Sequence, residues 1–287
     1  MRVCGFTFVR NGVLFDYPFI ESIQSLLPLC DQVFVAVGDS DDDTMTRIQA
    51  LADARIEIIP TTWDPALRTQ GLILSQQTNI ALARADGDWA VYLQADEVLH
   101  EKDYDRIRAA MHENLPDARV EGLLFRYLHF YGSYGYVGNS RRWYRREIRV
   151  VRPGIGVRSW GDAQGFRIDN RKLRVRLVDA DVYHYGWVKT PQAQQRKQRQ
   201  FNRLWHSDDW VERNVPDTTG FDYSTGGRLR PFEGVHPSVM VRRIQRQNWT
   251  FSYDPHRVRQ RPGEALLDWI ERHTGWRPAE YRNYTLL

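Results

Sequence analysis

Residues 89–97, Trp89-Ala90-Val91-Tyr92-Leu93-Gln94-Ala95-Asp96-Glu97, form the stretch that decides the fold of this chain. Five apolar residues in succession predict a short strand that is buried on both faces, as in a parallel sheet. Polar residues follow directly where that strand ends. Because ligands bind at the carboxyl ends of the strands in an open α/β sheet, the stretch predicts both a central strand and a candidate site.

The first 117 residues alternate apolar runs with amphipathic segments. Further strands are predicted over residues 3–9, 32–37 and 55–59, and helices over residues 18–27, 45–51, 70–84 and 104–111, the first with Asp16 as its N-cap. Repeated strand–helix units with short links specify a doubly wound, mostly parallel sheet with helices on both faces. The fold class predicted for this half is therefore α/β.

The pattern changes after residue 117, which divides the chain into halves 1–117 and 118–287. Strands are predicted over residues 120–131, 145–152 and 173–185, and helices over residues 192–205 and 264–273. Residues 214–230 are predicted to form a loop that is long enough to act as a mobile lid. The first 140 residues contain 11 basic and 20 acidic residues, whereas the rest contain 29 basic and 16 acidic. This split predicts that one half holds a cation while the other faces an anionic group.

Composition excludes several classes of protein. Of the 287 residues 42% are apolar and 26% are charged, which is typical of a globular chain and not of a disordered one. No apolar run approaches the ~18–20 residues that span a bilayer, and the N-terminal run resembles a first strand more than a leader peptide. We therefore expect a cytoplasmic protein without a transmembrane segment.

The acidic residues at the end of the fourth strand could bind a hard divalent cation, which prefers oxygen ligands. The alternative for Asp96 is a helix N-cap, and the acidic turn at residues 39–43 has the same alternative. His184, at the end of an aromatic strand, is either a ligand or a buried structural residue. Neither the dinucleotide fingerprint nor the P-loop follows the first strand, which removes most support from redox and simple kinase functions.

The order of these signals resembles glycosyltransferase family 2, whose members have the GT-A fold. The resemblance is carried by residues 8–11, 35–44 and 85–97 and by Asn79 in the third crossover helix. It covers about the first 115 residues and continues more weakly to about 190. It implies a GT-A, Rossmann-like, mostly parallel sheet in one continuous domain to about residue 190, with a C-terminal extension on the acceptor side.

The resemblance implies a nucleotide-sugar site and a metal site. Val9, Arg10 and Asp39 follow adjacent strands at the binding edge, so we expect them to line the nucleotide pocket. Gln77, Gln94 and Trp160 complete the set of residues expected to bind the nucleotide sugar. Asp96 matches the last acid of the family's metal-binding motif, and Gln94 stands where the first acid is usual. His184 is suitably placed for the family's metal-ligating histidine, with Glu97 in a supporting position. The cation would be Mn²⁺ or Mg²⁺, and an imidazole ligand favours Mn²⁺.

The implied activity is a metal-dependent, inverting transfer of sugar from a nucleotide diphosphate sugar to a saccharide or other hydroxyl acceptor. Such a transfer needs a carboxylate that takes the acceptor proton. Asp162 is the candidate, because glycines flank it and the neighbouring Trp160 could stack on a sugar. Its rivals are Asp179, Asp181 and Glu233, and the alternative for Asp162 itself is a turn contact with its own backbone.

Two other functions stay open. A sugar-phosphate nucleotidyltransferase would have a similar fold, but would carry a glycine-rich phosphate loop after the first strand. A non-catalytic polyanion-binding protein would use the basic half, where six arginines interleaved with aromatic residues lie within residues 141–152. A solvated strand face is the alternative for that run, and nucleic acid is not an expected partner.

Overall fold

The computed structural model describes residues 1–64, 67, 69–254 and 262–287. The strands are β1 (Val3–Val9), β2 (Gln32–Gly38), β3 (Ile56–Thr61), β4 (Trp89–Tyr92), β5 (Glu97–Leu99), β6 (Gly122–Tyr131), β7 (Ser133–Gly138), β8 (Arg146–Val151), β9 (Arg158–Trp160), β10 (Gly165–Ile168), β11 (Arg171–Lys172), β12 (Arg174–Trp187), β13 (Leu229–Pro231) and β14 (Thr285–Leu286). The helices are α1 (Phe19–Leu26), α2 (Thr44–Gln49), α3 (Leu72–Leu82), α4 (Tyr104–Asn114), α5 (Pro191–Arg203), α6 (Asp208–Asn214), α7 (Val241–Gln245) and α8 (Pro262–Thr274). None of the described helices is long and apolar enough to cross a membrane.

Strands β1 to β4 form the parallel part of the central sheet, in the order β4, β1, β2, β3. Along this path antiparallel pairing begins at β8, which lies between β4 and β6 and carries the sheet into the second half. Strand β6 then pairs in parallel with β12. The predicted α/β class, with a parallel sheet of the first four strands, is confirmed.

Side chains of the parallel strands alternate between two apolar cores, as the period of two in a strand requires. Val33 packs on one face with Ile23 of α1 and Met111 of α4. Phe34, the next residue of β2, packs on the other face with Leu82 of α3. Helices therefore cover both faces of the sheet, which explains why its strands are apolar at consecutive positions.

Strand β12 connects distant parts of the chain. It pairs in parallel with β6 and antiparallel with β5, so that His184 is in register with His129 of β6 and with Glu97 of β5. Strands β13 and β14 also join the sheet, pairing with β7 and β12. The sheet thus includes strands on both sides of residue 117 and beyond residue 190, and the division into functional halves stays a prediction.

Two local features differ from the sequence-based expectation. Helix α1 begins at Phe19 without a side-chain cap, and Asp16, with φ of 51°, forms an ion pair with Arg243 instead. The segment over residues 214–230 contains a short 3-10 turn and strand β13. Its Tyr223 hydroxyl donates to the carbonyl of Lys189 at 2.9 Å, so this part of the expected lid is anchored to the end of β12.

A fully buried ion pair lies directly beneath the end of β4. Arg149 of β8 donates from Nε and Nη2 to the two carboxylate oxygens of Glu97, at 2.7 and 2.8 Å. The Tyr127 hydroxyl and the backbone N–H of Gln94 donate to the same carboxylate at 2.8 and 3.0 Å. The Glu97 carboxylate is therefore paired with Arg149, and its supporting role at a metal stays a prediction.

We predict that Glu97→Gln lowers the free energy of unfolding by about 3–5 kcal/mol, because it leaves the buried Arg149 guanidinium without a counter-charge. Urea denaturation measures the change. Asp105→Asn is the matched control, since Asp105 is 99% exposed and pairs with Arg108 on the surface of α4. The control should stay close to wild type. Equal stability of the two variants would contradict the importance of the buried pair.

Candidate active site

A cavity of about 230 Å³ opens at the carboxyl ends of β1 and β4, the edge predicted to bind a ligand. Val9 and Arg10 line it from the end of β1, and Gln94 and Asp96 line it from beyond β4. Asp162 reaches the same cavity from the second half of the chain. The fold therefore brings five of the predicted residues to one place.

One end of the cavity is aromatic and charged. Arg10 donates from Nε to the carbonyl oxygen of Asp39 at 2.9 Å, and its guanidinium lies 5.4 Å from the centre of the Trp63 ring. Arg10 and Trp63 line both this cavity and an adjoining one, whereas Asp39 lines only the adjoining one. In the described part of the chain, the buried indole Nε1 of Trp63 has no hydrogen-bond partner. A ring, a guanidinium and a carboxylate make a surface that suits a planar heteroaromatic ligand.

Two of the predicted binding residues lie away from both cavities. Gln77 on α3 is fully buried, and its side-chain oxygen accepts a hydrogen bond from the Thr61 hydroxyl at 2.5 Å. Trp160 on β9 is half exposed and lies 4.8 Å from the guanidinium of Arg167. Neither residue lines the cavity. Both residues therefore lie outside the cavity, and their binding roles stay predictions.

At the other end of the cavity, Asp96 and His184 approach each other. Oδ2 of Asp96 lies 3.7 Å from Nε2 of His184. Lys197 of α5 donates from Nζ to the same Oδ2 at 3.0 Å and to the carbonyl of Gly186 at 3.0 Å. Asp96 is followed by β5 and a 3-10 turn before α4 begins, so the alternative of a helix N-cap is wrong.

Burial and charge set the protonation of this cluster. Burial alone would raise the pKa of Asp96, but the charges of Lys197 and His184 outweigh it and hold that pKa well below its usual range. Burial lowers the pKa of His184 despite the opposing charge of Asp96. Burial would also lower the pKa of Lys197, but Tyr17 and Asp96 raise it above its usual value. At neutral pH the cluster holds a carboxylate, an ammonium and a neutral imidazole.

Asp96 and His184 fit a divalent cation as a pair of ligands. A carboxylate oxygen and an imidazole nitrogen together suit Mn²⁺ or a similar transition metal. Gly186 keeps the space beside them free, because a Cβ there would lie 2.6 Å from both Asp96 Oδ2 and His184 Nε2. Across the described residues, no group of three or more His, Cys, Asp or Glu side chains could hold a metal. A cation at this pair would need further ligands from substrate or water.

Asp162 is the one of the four candidate bases that lines the cavity. Burial raises its pKa, and its Oδ1 accepts a long hydrogen bond of 3.4 Å from the backbone N–H of Gln164. The predicted turn contact is thus present, while the side chain still lines the cavity. Among its rivals, Asp179 and Asp181 pair with an arginine of β6, and Glu233 is exposed. None of the three lines the cavity.

Three residues of the site were not predicted from the sequence. Trp63 follows β3 at the same sheet edge, so the rule that found Arg10 could also have found it. Lys197 is the one lysine in a helix rich in glutamine and arginine, a weak signal that was available. His129 bonds to His184 between their Nδ1 atoms at 3.0 Å, which depends on the register of β6 against β12. No local pattern gives that register.

Neither a comparison with protein families nor one with curated proteins returns a match. Among solved structures, the chain is similar to TarS of S. aureus, with 15% identity, 70% of this chain and 39% of that one covered, and a TM-score of 0.41. It is also similar to the mannosyltransferase PcManGT from Pyrobaculum calidifontis in complex with GDP-Man and Mn²⁺, with 21% identity, coverage of 42% and 34%, and a TM-score of 0.32. A third match is glucosyl-3-phosphoglycerate synthase from Mycobacterium tuberculosis in complex with Mn²⁺, UDP and phosphoglyceric acid, with 20% identity, coverage of 45% and 43%, and a TM-score of 0.30.

The chain spans less than half the length of each of these three structures.

We predict that Gly186→Ala weakens Mn²⁺ binding about tenfold or more, because the new methyl group displaces the Asp96 carboxylate and the His184 ring. Electron paramagnetic resonance of free Mn²⁺ measures the affinity. Gly135→Ala is the matched control, since its Cβ would meet nothing closer than 3.7 Å and should leave the affinity unchanged. Identical affinities in wild type and both variants would exclude this pair as the cation site.

Proposed function

We propose that this chain is a metal-dependent, inverting glycosyltransferase that takes a sugar from a nucleotide diphosphate sugar. One observation carries the proposal: Asp96 and Lys197, with His184 behind them, share a single cavity with the partly buried carboxylate of Asp162. The cluster of Asp96, Lys197 and His184 suits a diphosphate and its cation. The carboxylate of Asp162 suits an acceptor hydroxyl. A donor and an acceptor can therefore meet in the cavity.

The aromatic end of the cavity supports a nucleotide donor. In this proposal the nucleobase lies against Trp63 and Arg10, with Asp39 available to accept hydrogen bonds from the base or ribose. The diphosphate then extends toward Lys197, whose ammonium is already held in place by Asp96 at 3.0 Å. An ammonium group that is fixed in place before the reaction stabilises developing negative charge without having to reorganise.

The chemical step is a single displacement at the anomeric carbon. Asp162 takes the proton of the acceptor hydroxyl as the hydroxyl oxygen bonds to that carbon. The bond from the carbon to the diphosphate oxygen breaks, and the nucleoside diphosphate leaves with the electron pair. Lys197 stabilises the charge that develops on the leaving oxygen. A divalent cation held by Asp96 and His184 would supply Lewis-acid stabilisation of the same diphosphate.

The alternative of a polyanion-binding surface loses support in the structure. In the arginine run, Arg141 pairs with Glu271, Arg145 pairs with Glu280, and Arg149 is buried against Glu97. Arg152 donates to backbone carbonyls near the end of α4. Most of these arginines are thus occupied within the chain, so they do not form a free basic face. The nucleotidyltransferase alternative still lacks its glycine-rich loop after β1.

We predict that Asp162→Asn lowers sugar transfer by a factor on the order of 10²–10⁴, the usual contribution of a general base, while donor binding is retained. A thermal-shift panel of nucleoside diphosphates with Mn²⁺ identifies the donor and measures its binding. Release of nucleoside diphosphate from the corresponding nucleotide sugar measures turnover. Asp179→Asn, which changes an exposed carboxylate outside the cavity, serves as the control and should retain wild-type turnover.

The pH dependence gives a second readout of the same residue. Asp162 acts as a base only when it is deprotonated, so turnover falls as the pH decreases through its pKa. Burial raises that pKa, which places the midpoint of the acid limb above the ordinary aspartate value of about 3.9. The acid limb should disappear in Asp162→Asn. Wild-type turnover in this variant, or an unchanged acid limb, would remove Asp162 from the mechanism.

A further inference from the structure

A pair of buried histidines lies directly behind the candidate cation site. His129 of β6 and His184 of β12 are in register, and their Nδ1 atoms are 3.0 Å apart. A contact of this length between two ring nitrogens is a hydrogen bond, so one of the two atoms carries a proton and the other accepts it. Which one carries the proton decides what His184 presents to the cavity.

The other nitrogen of His129 settles the direction of this bond. Its Nε2 lies 2.8 Å from the carbonyl oxygen of Tyr144. A carbonyl can only accept, so Nε2 of His129 carries a proton. In a neutral ring, Nδ1 of His129 is then unprotonated and accepts a hydrogen bond from the protonated Nδ1 of His184. It follows that Nε2 of His184 has a free lone pair.

The surroundings of His129 favour the neutral ring. The side chain is 3% exposed and packs among the rings of Tyr127, Trp143 and Tyr144, with centroids 4.4–5.2 Å away. In the described residues it has no ion pair or hydrogen bond with a carboxylate. An imidazolium would therefore be a buried charge without a direct partner, which is costly.

The unprotonated Nε2 of His184 lies 3.7 Å from Oδ2 of Asp96, a distance that is too long for a hydrogen bond. Nothing at Asp96 therefore requires a proton on that nitrogen. Oδ2 of Asp96, which also accepts from Lys197 at 3.0 Å, and Nε2 of His184 both border the space that Gly186 leaves free, and together they would offer a divalent cation one oxygen and one nitrogen ligand. The neutral, unprotonated nitrogen of an imidazole is the form that ligates metals.

We infer that His129 is a positioning residue for the metal site: its Nδ1 accepts the proton of His184 Nδ1 and so keeps Nε2 of His184 available to a divalent cation. The inference rests on the proposed metal site and adds a residue that does not touch the metal. Partners of this kind fix the tautomer and orientation of a ligating histidine, and losing one typically costs 10–100-fold in metal affinity.

Two substitutions of His129 separate this role from simple packing. In His129→Asn, the side-chain oxygen occupies the place of Nδ1 and still accepts from His184. In His129→Gln, the amide nitrogen occupies the place of Nε2 and still donates to Tyr144, but no acceptor faces His184. Both variants replace the ring by an amide of similar polarity, so a loss of packing affects both.

The tautomer is read directly from long-range ¹H–¹⁵N correlations of histidine-labelled protein without metal. Wild type and His129→Asn should show His184 protonated at Nδ1, and His129→Gln should lose that signature. Titration with Mn²⁺ alone should give an affinity near wild type for His129→Asn and about 10–100-fold weaker for His129→Gln.

Protonation of His184 at Nε2 in the wild-type protein would overturn the inference, as would equal losses of Mn²⁺ affinity in the two variants. A wild-type protein that binds no Mn²⁺ would also overturn it. The last result would also contradict the metal dependence of the proposed function, whereas the first two leave that function untouched. Sugar transfer itself is tested separately by nucleoside diphosphate binding and by Asp162→Asn.

Discussion

The pairing of β12 with both β5 and β6 is the constraint on which the candidate site depends. It sets His184 opposite Glu97 on one side and His129 on the other. Asp96 lies immediately before β5, so the same pairing brings its carboxylate to His184. The strand then turns into α5, which carries Lys197 over the cavity. A shift of one residue in this register would reverse the side chains and separate these groups.

Two adjacent carboxylates in this region have different partners and therefore different roles. Glu97 is fully buried and neutralised by Arg149 beneath the sheet edge. Asp96 faces the cavity, where Lys197 is its partner. Because each acid has its own cation, the repulsion expected between neighbouring charges is relieved and Asp96 stays ionised. The Glu97–Arg149 pair stabilises the scaffold. The Asp96 carboxylate, on the side that faces the cavity, is left for a ligand.

The sequence was sufficient for the parts of the molecule that follow local rules. Apolar runs located β1 and β4, and the rule for strand ends located Arg10 and Asp96. Glycines in the neighbouring loop pointed to Asp162. Gln77 is buried away from the cavity, because the order of motifs along the chain does not tell which side of a helix faces the sheet and which faces a ligand. Lys197 and His129 enter through tertiary contacts between distant strands and helices, which single-sequence patterns do not contain.

The central claim is that one cavity at the carboxyl edge of the sheet binds a nucleoside diphosphate and a cation together. A crystal grown with Mn²⁺ and the best-binding nucleoside diphosphate, measured at the manganese absorption edge, tests it directly. The account predicts an anomalous peak within about 2.0–2.3 Å of Asp96 and of Nε2 of His184, with the base against Trp63. A nucleotide bound at another surface, or a manganese peak remote from Asp96, would contradict it.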